Sequence, residues 1–362
     1  MDERLPDTPR KGRGAVGNPT GRFEREIRHA VDDGWGLAED DVAPLRTTVT
    51  DEKPRAIISR NASPDIFFNQ SINPYRGCEH GCIYCFARPT HAFMGLSPGL
   101  DFETRLFAKP DAALLLEKEL SKPGYVAEPF MLGANTDPYQ PIERDREITR
   151  SILEVLARFR HPVMITTKSA LITRDLDILA PMAADRLVGV GISLTTLDKT
   201  LARRMEPRAA APHRRLETIA ALSTAGIPVT VLVSPVIPFL TESEIERILK
   251  EAAAAGARAA GYILLRLPLE LKELFTEWLE NHFPGSARHV LNRLRESRDG
   301  QLYVAEFGAR MRGHGAFADL IEQRFRLACR KHGLASGHDR TMTLDAARFR
   351  VPPRPGDQLQ LL

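Results

Sequence analysis

From about residue 68 to residue 267 the chain repeats one pattern: a short apolar run rich in β-branched residues, then a longer stretch whose apolar positions return every three to four residues. The runs "FFNQSINPY", "PFMLGAN", "PVMITTK", "RLVGVGISLT", "IPVTVLVS" and "GYILLRL" read as strands. Between them, residues 111–120, "ERDREITRSILEVLARF", "TRDLDILAPM", "HRRLETIAALSTAG" and "TESEIERILKEAAAAG" read as helices. Gly226 stands just past one helix C-terminus, and Thr241 with Glu244 has the spacing of a capping box at the start of another. Strand and helix in alternation predict an α/β fold around parallel strands, here a partial (β/α)6 TIM-type barrel.

The flanks break the pattern. Residues 268–350 turn helical, in "LELKELFTEWLENHF", "SARHVLNRLRES" and "AFADLIEQRFRLACRKHG", and predict an extension that closes an open side or caps it. The final "RFRVPPRPGDQLQLL" reads as a tail. Residues 1–60 mix Pro, Gly and charges and predict a poorly ordered tail, with one short helix in "FEREIRHAVDDGW".

Composition changes little. The 362 residues are 43% hydrophobic and 27% charged, ordinary for a globular protein, and a net charge of +3 is too weak to imply a nucleic-acid partner. No apolar segment suits a secretory signal or a membrane helix, so the chain reads as cytoplasmic. The basic stretch "RKGRGAVGNPTGRFE" lacks the Gly-Lys-Ser/Thr and preceding strand of a phosphate loop and reads as a solvated tail, with Arg and Lys free to touch nucleic acid or a partner protein.

The cysteines change the picture more. Cys78, Cys82 and Cys85 fall in "GCEHGCIYC", and the chain has one other, Cys329. The C-x3-C-x2-C spacing is too tight for a disulfide framework, and a reducing compartment favours ligation. His80 would complete a Cys3His zinc set, although zinc knuckles usually pair two half-sites across a spacer that is absent here. A fourth thiolate would have to be Cys329, which shares an amphipathic segment with Phe317, Leu320, Ile321 and Phe325 and reads as a packing residue. The arrangement that remains is a cluster on three thiolates with one open iron, a place for a cofactor or substrate.

With Tyr84 at the aromatic position, the run resembles the C-x3-C-x-aromatic-C signature of the radical S-adenosylmethionine (radical SAM) enzymes, and its place after the first strand agrees. The resemblance implies a [4Fe-4S] cluster on Cys78, Cys82 and Cys85, whose open iron chelates the amino and carboxylate groups of S-adenosyl-L-methionine. It implies reductive cleavage of that cofactor to a 5′-deoxyadenosyl radical, a full or partial TIM-type barrel over about residues 68–267, and an external electron donor of flavodoxin or ferredoxin type.

Functional groups of parallel βα barrels gather at the C-terminal ends of strands. The second strand ends in "GANTDPYQ", which puts Asn135, Thr136 and Asp137 where the family places a Gly-Gly-Glu-like segment against the cofactor's amino group; an Asn/Asp turn before Pro138 reads equally well. Lys168 ends the third strand on the face of Thr166, and a lysine there needs a carboxylate partner, such as that of the cofactor. On the fourth strand Val188, Val190, Ile192 and Leu194 share one face while Gly189, Gly191 and Ser193 share the other, leaving room for a bulky ligand with Ser193 at its edge. Glu206, and Arg266 on the same alternating face as Tyr262 and Leu264, are weaker candidates for meeting cofactor or substrate that read more commonly as surface salt-bridge formers.

Within the superfamily, "INPYRGC", "CFAR" and "NTDPYQ" resemble the branch related to spore photoproduct lyase, a DNA-repair family. That family places a cysteine hydrogen donor before the Asp of the second-strand motif and a tyrosine after the third cluster cysteine. Ala134 and Phe86 hold those places here, and neither donates a hydrogen atom as a thiol or phenol does. The leading expectation is therefore a radical SAM enzyme with an open substrate. Repair or modification of a nucleic-acid base is one alternative, and a non-catalytic nucleic-acid-binding protein with structural zinc or iron–sulfur is another.

Overall fold

The computed structural model describes residues 7–24, 45–336 and 343–353. Its strands are β1 (Thr48–Asp51), β2 (Ile58–Arg60), β3 (Gln70–Ile72), β4 (Tyr75–Arg76), β5 (Arg105–Ala108), β6 (Phe130–Leu132), β7 (Val163–Thr167), β8 (Val188–Ser193), β9 (Val229–Val236), β10 (Ala259–Leu264) and β11 (Ala335–Ser336). Its helices are α1 (Asp101–Thr104), α2 (Ala112–Leu120), α3 (Glu143–Arg146), α4 (Ile148–Arg158), α5 (Leu176–Ala184), α6 (Lys199–Met205), α7 (Pro212–Thr224), α8 (Ile245–Ala254), α9 (Leu271–His282), α10 (Pro284–Glu296), α11 (Ala309–Arg312) and α12 (Ala316–Lys331).

The main sheet runs β11-β10-β9-β8-β7-β6-β3-β2, with only the β2–β3 pair antiparallel. Each strand predicted from the sequence lies in it. A second sheet, β1-β5-β4, flanks the loop that carries the cysteines. The fold is thus α/β with a mixed sheet, and the C-terminal ends of β3, β6, β7, β8, β9 and β10 point the same way.

Side-chain alternation sorts the sheet into two environments. Val163 and Ile165 of β7, Val188, Val190 and Ile192 of β8, and Val229, Val231 and Val233 of β9 are sealed in one apolar core with α4, α5, α7, α8 and α12. On the other face Met164, Thr166, Thr230, Leu232 and Ser234 are only half-buried. The inner side of the sheet therefore keeps access to solvent.

Several local expectations change. "ERDREITRSILEVLARF" breaks at Glu147 (φ 50°) into α3 and α4, because the Glu143 carboxylate accepts the N–H groups of Thr149 (2.9 Å) and Arg150 (3.3 Å) and so caps α4 from outside. The Thr241 and Glu244 capping box does not form. Thr241 Oγ1 accepts the Ile237 N–H at 2.8 Å, and Glu244 instead accepts from Leu197 N–H at 2.9 Å and from the Thr196 hydroxyl, bracing the loop after β8. Gly226 does end α7, at φ 77° with open space where a Cβ would stand.

The C-terminal region does two jobs. α9 and α10 pack Leu274, Phe275, Trp278 and Val290 against Cys82, Ile83 and Tyr84 in a second apolar core, while α12 packs on the outside of α8 and β11 adds a strand beside β10. Part of the predicted C-terminal tail is docked as well: the Phe349 ring lies 5.6 Å from His161, and Arg350 N–H donates to Phe159 O at 3.0 Å. At the other terminus residues 13–17 are buried, not a solvated tail; the helix expected in "FEREIRHAVDDGW" falls mainly outside the described residues. No helix among the described residues is long and apolar enough to cross a membrane.

Candidate active site

Cys78, Cys82 and Cys85 lie on the loop that follows β4, at the C-terminal end of the parallel strands. Cys78 N–H donates to Phe102 O (2.9 Å), Cys85 N–H to Cys82 O (3.2 Å) and Arg88 N–H to Cys85 O (3.1 Å), so the loop is wound tightly on itself. Gly81, at φ 65°, makes its sharpest turn. Cys78 and Cys82 are buried, and burial raises the pKa of both thiols, so the metal-free protein holds them protonated; iron coordination reverses that preference. Cys329 lies in the other core with Ile321 and Phe325, where it packs as expected and does not join the loop. Leu320, expected on the same stripe, is exposed instead.

A buried ion pair fastens the loop from behind. Arg88 and Glu103 are both fully buried and paired, and Arg88 also donates from Nε to Cys82 O (2.8 Å) and from Nη2 to Gly81 O (3.0 Å). Glu103 in turn accepts the N–H of Gly14 (2.9 Å) and of Ala15 (2.8 Å). Arg13 donates to Glu103 O (3.0 Å) and Leu45 O (2.6 Å). The segment that the sequence presents as a basic tail is therefore a strap across the cysteine loop, and its arginine satisfies backbone oxygens. A Cβ on Gly14 would overlap the Gly81 carbonyl oxygen. Gly14→Val is expected to lift the strap and cause a several-fold loss of iron and sulfide retained after reconstitution, with secondary structure unchanged; iron content equal to wild type would show the strap to be dispensable.

Tyr84 is held by a second buried network. Its hydroxyl donates to Glu206, which is paired with buried Arg215, and lies 3.2 Å from Thr195 Oγ1. Arg215 Nη1 donates to Ser193 O at 3.0 Å. Glu206 is thus no surface salt-bridge former: it ties the cysteine loop to the end of β8. Ser193 is buried with its hydroxyl directed to Ser234 O (3.3 Å). The space predicted over Gly191 is narrower than the sequence suggests, since a Cβ there would stand 3.0 Å from Leu232 Cδ1 and 3.3 Å from Thr166 Oγ1.

The "NTD" segment divides in the same way. Asp137 is largely buried, with Oδ1 accepting from Thr167 Oγ1 (2.7 Å) and Tyr139 N–H (2.9 Å) and Oδ2 accepting from Lys168 N–H (2.8 Å). His80 Nδ1 lies 3.2 Å from Oδ2, close enough to pair electrostatically but off the line a hydrogen bond needs. Burial alone would raise the Asp137 pKa, but His80 and these donors together hold it at about 2. Thr136 donates to Tyr75 O at 2.9 Å. Asn135 is only half-buried, and its backbone N–H donates to Asn73 Oδ1 at 2.9 Å.

Lys168 projects toward the cysteine loop with Nζ 5.8 Å over the Tyr84 ring, and its charge favours the Cys82 thiolate. It makes no ion pair among the described residues. No three His, Cys, Asp or Glu side chains among the described residues converge at single-ion distance, and His80 is directed to Asp137. An iron–sulfur cube presents separate corners to its thiolates and does not need them to converge on one ion. Three thiols, a lysine and a half-open inner sheet face thus fit a cluster with a charged organic ligand beside it.

Sequence comparison agrees. The profile of the radical SAM superfamily matches residues 72–252. An uncharacterised protein of Mycobacterium tuberculosis is 34% identical over 273 residues, which cover 75% of this chain and 76% of that one. Another, of Methanocaldococcus jannaschii, is 27% identical over 222 residues, 61% of this chain and 79% of that one. Among solved structures, spore photoproduct lyase complexed with dinucleoside spore photoproduct superposes with a TM-score of 0.57 at 15% identity, over 80% of this chain and 81% of that one; at such identity the likeness shows the fold.

Proposed function

From the premise that this chain belongs to the radical SAM superfamily, we propose that it is an enzyme that holds a [4Fe-4S] cluster on Cys78, Cys82 and Cys85 and cleaves S-adenosyl-L-methionine reductively to act on a further substrate. The observation that carries the reading is the three-thiol loop, with Cys78 and Cys82 buried and Cys85 half-buried, while Cys329 is sequestered in a different core. When bound, the cluster and cofactor supply an electron and a 5′-deoxyadenosyl radical, with an external flavodoxin- or ferredoxin-type protein as the source of the electron. The six parallel strands from β3 to β10 form the partial barrel around that chemistry.

In this reading the chain's own residues position and shield. Lys168 offers an ammonium to the cofactor's carboxylate, which its lack of an internal carboxylate partner among the described residues favours. Asn135 lies on the amino-group side, while Thr136 and Asp137 shape the turn that presents it. Tyr84 and Ser193 form the wall through the Glu206 and Arg215 network, and α9 with α10 keeps water from the back of the loop. Lys168→Met is expected to weaken cofactor binding about tenfold or more without loss of iron, since a charge-assisted hydrogen bond contributes ~1.5–3 kcal/mol; equilibrium dialysis with labelled cofactor reads both arms. The reading as a whole is tested by metal and sulfide analysis followed by anaerobic reduction. Iron and sulfide with release of 5′-deoxyadenosine are expected; one zinc and no sulfide per chain would replace the reading with a structural zinc site.

Base repair of the spore photoproduct lyase type receives no added support. Phe86 is 41% exposed and Arg266 lies 4.2 Å over its ring, an arrangement that supplies a flat cationic wall and no hydrogen donor.

A further inference from the structure

Arg266 does not end as a surface ion pair. The register of β10 on β9 shifts between Tyr262 and Leu264, which ends the simple alternation. Tyr262 packs on Phe325 of α12, 4.7 Å between ring centroids, while Arg266 turns to the cysteine loop and stacks on Phe86, the neighbour of Cys85. Close by, Arg298 at the end of α10 is fully buried. Its Nη2 donates to Leu265 O at 2.6 Å, but Nε and Nη1 are buried with no hydrogen-bond partner among the described residues.

The local charges do not balance. Arg310 is closed by Asp65, with Nε 2.7 Å from Oδ2 and Nη2 engaging the other oxygen, so that carboxylate is already taken. Arg266 and Arg298 make no ion pair among the described residues. Burial depresses the Arg298 pKa to about 10, with Tyr303 opposing the shift and Arg266 adding to it. A water molecule would satisfy the idle nitrogens but would not neutralise two guanidinium groups, and a buried uncompensated charge is strongly destabilising. An anion answers both needs.

We infer that Arg266 and Arg298 form a subsite for a phosphate group of the substrate, on the Cys85 and Phe86 side of the cysteine loop. Two forked cations match the charge of a phosphate monoester and offer it paired donors, and Phe86 holds one fork flat. The inference rests on the radical SAM reading for its choice of substrate side, but the subsite itself is testable without turnover.

Inorganic phosphate, titrated at constant ionic strength into the iron-loaded protein, is expected to raise the unfolding temperature saturably, whereas acetate and chloride do so at least tenfold less effectively. Arg266→Met is expected to weaken phosphate binding at least tenfold, and exposed Arg247→Met to leave it unchanged. Arg298→Met is expected to remove the phosphate response while raising stability in its absence, because it deletes an unpaired buried charge of similar volume. A phosphate effect no larger than that of chloride would overturn the subsite, and so would one that survives both variants. Arg298→Met destabilised in phosphate-free buffer would make Arg298 a structural tie to Leu265. Competition between S-adenosylmethionine and phosphate would assign the site to the cofactor's carboxylate and also overturn the proposal. Failure to cleave the cofactor with phosphate binding intact would count against the radical reading alone.

Discussion

Single replacement of Cys78, Cys82 or Cys85 by Ala is expected to abolish iron–sulfide binding and 5′-deoxyadenosine release together, while Cys329→Ala preserves both. The loop supplies these three thiols, and the fourth cysteine belongs to the core beneath α12. Changes in groups that merely orient a metal ligand cost ~10–100-fold in affinity or activity, so loss of a ligand itself should exceed that range. Iron and sulfide per chain, read beside deoxyadenosine after reduction, check both halves. If a Cys78 variant kept a full cluster and normal cleavage, the assignment of the three ligands would be wrong.

Glu103→Leu is expected to destabilise the fold by about 3–5 kcal/mol, the range for removal of one member of a buried ion pair. The change strands Arg88 without a counter-charge and takes the acceptors from Gly14 and Ala15. Arg88→Met alone should cost a similar amount, and the double variant should recover a good part of the sum, because two apolar chains of comparable size can replace a buried pair. Urea midpoints at equal slopes give the cycle. Strict additivity of the two changes would mean that Arg88 and Glu103 do not act as a pair. Cluster retention should follow stability in this series, since Arg88 holds the carbonyl oxygens of Gly81 and Cys82.

Each of these residues stands in the sequence with little to mark it. Glu103 and Arg88 look like ordinary charged residues between short elements, and only their separation across the cysteine loop, closed by the fold, makes them a pair. Residues 13–15 read as solvated because Arg and Gly in a Pro-rich segment usually are; the backbone N–H groups of Gly14 and Ala15 find a buried carboxylate 88 or 89 positions away. Glu206 reads as a surface group for the same reason, as its partners Tyr84 and Arg215 are distant or on another helix. Arg266 falls on the face of Tyr262 only if the ladder is unshifted, which period-two alternation assumes. The signal the sequence does carry is Arg88, three residues past Cys85 and so within reach of the loop's own carbonyl oxygens.

What the sequence determined by itself is local and chemical. Hydrophobic periodicity defines the strands and most helices, since each element must bury one face whatever its partners are. Three thiols within eight residues mark a candidate ligand set, since proximity along the chain guarantees proximity in space. Tertiary structure alone decided which charges are buried, which backbone groups the N-terminal strap satisfies, and that Arg266 and Arg298 make no ion pair among the described residues. Those properties depend on low local dielectric and on contacts between residues far apart in the chain, and neither is encoded in any single stretch of it.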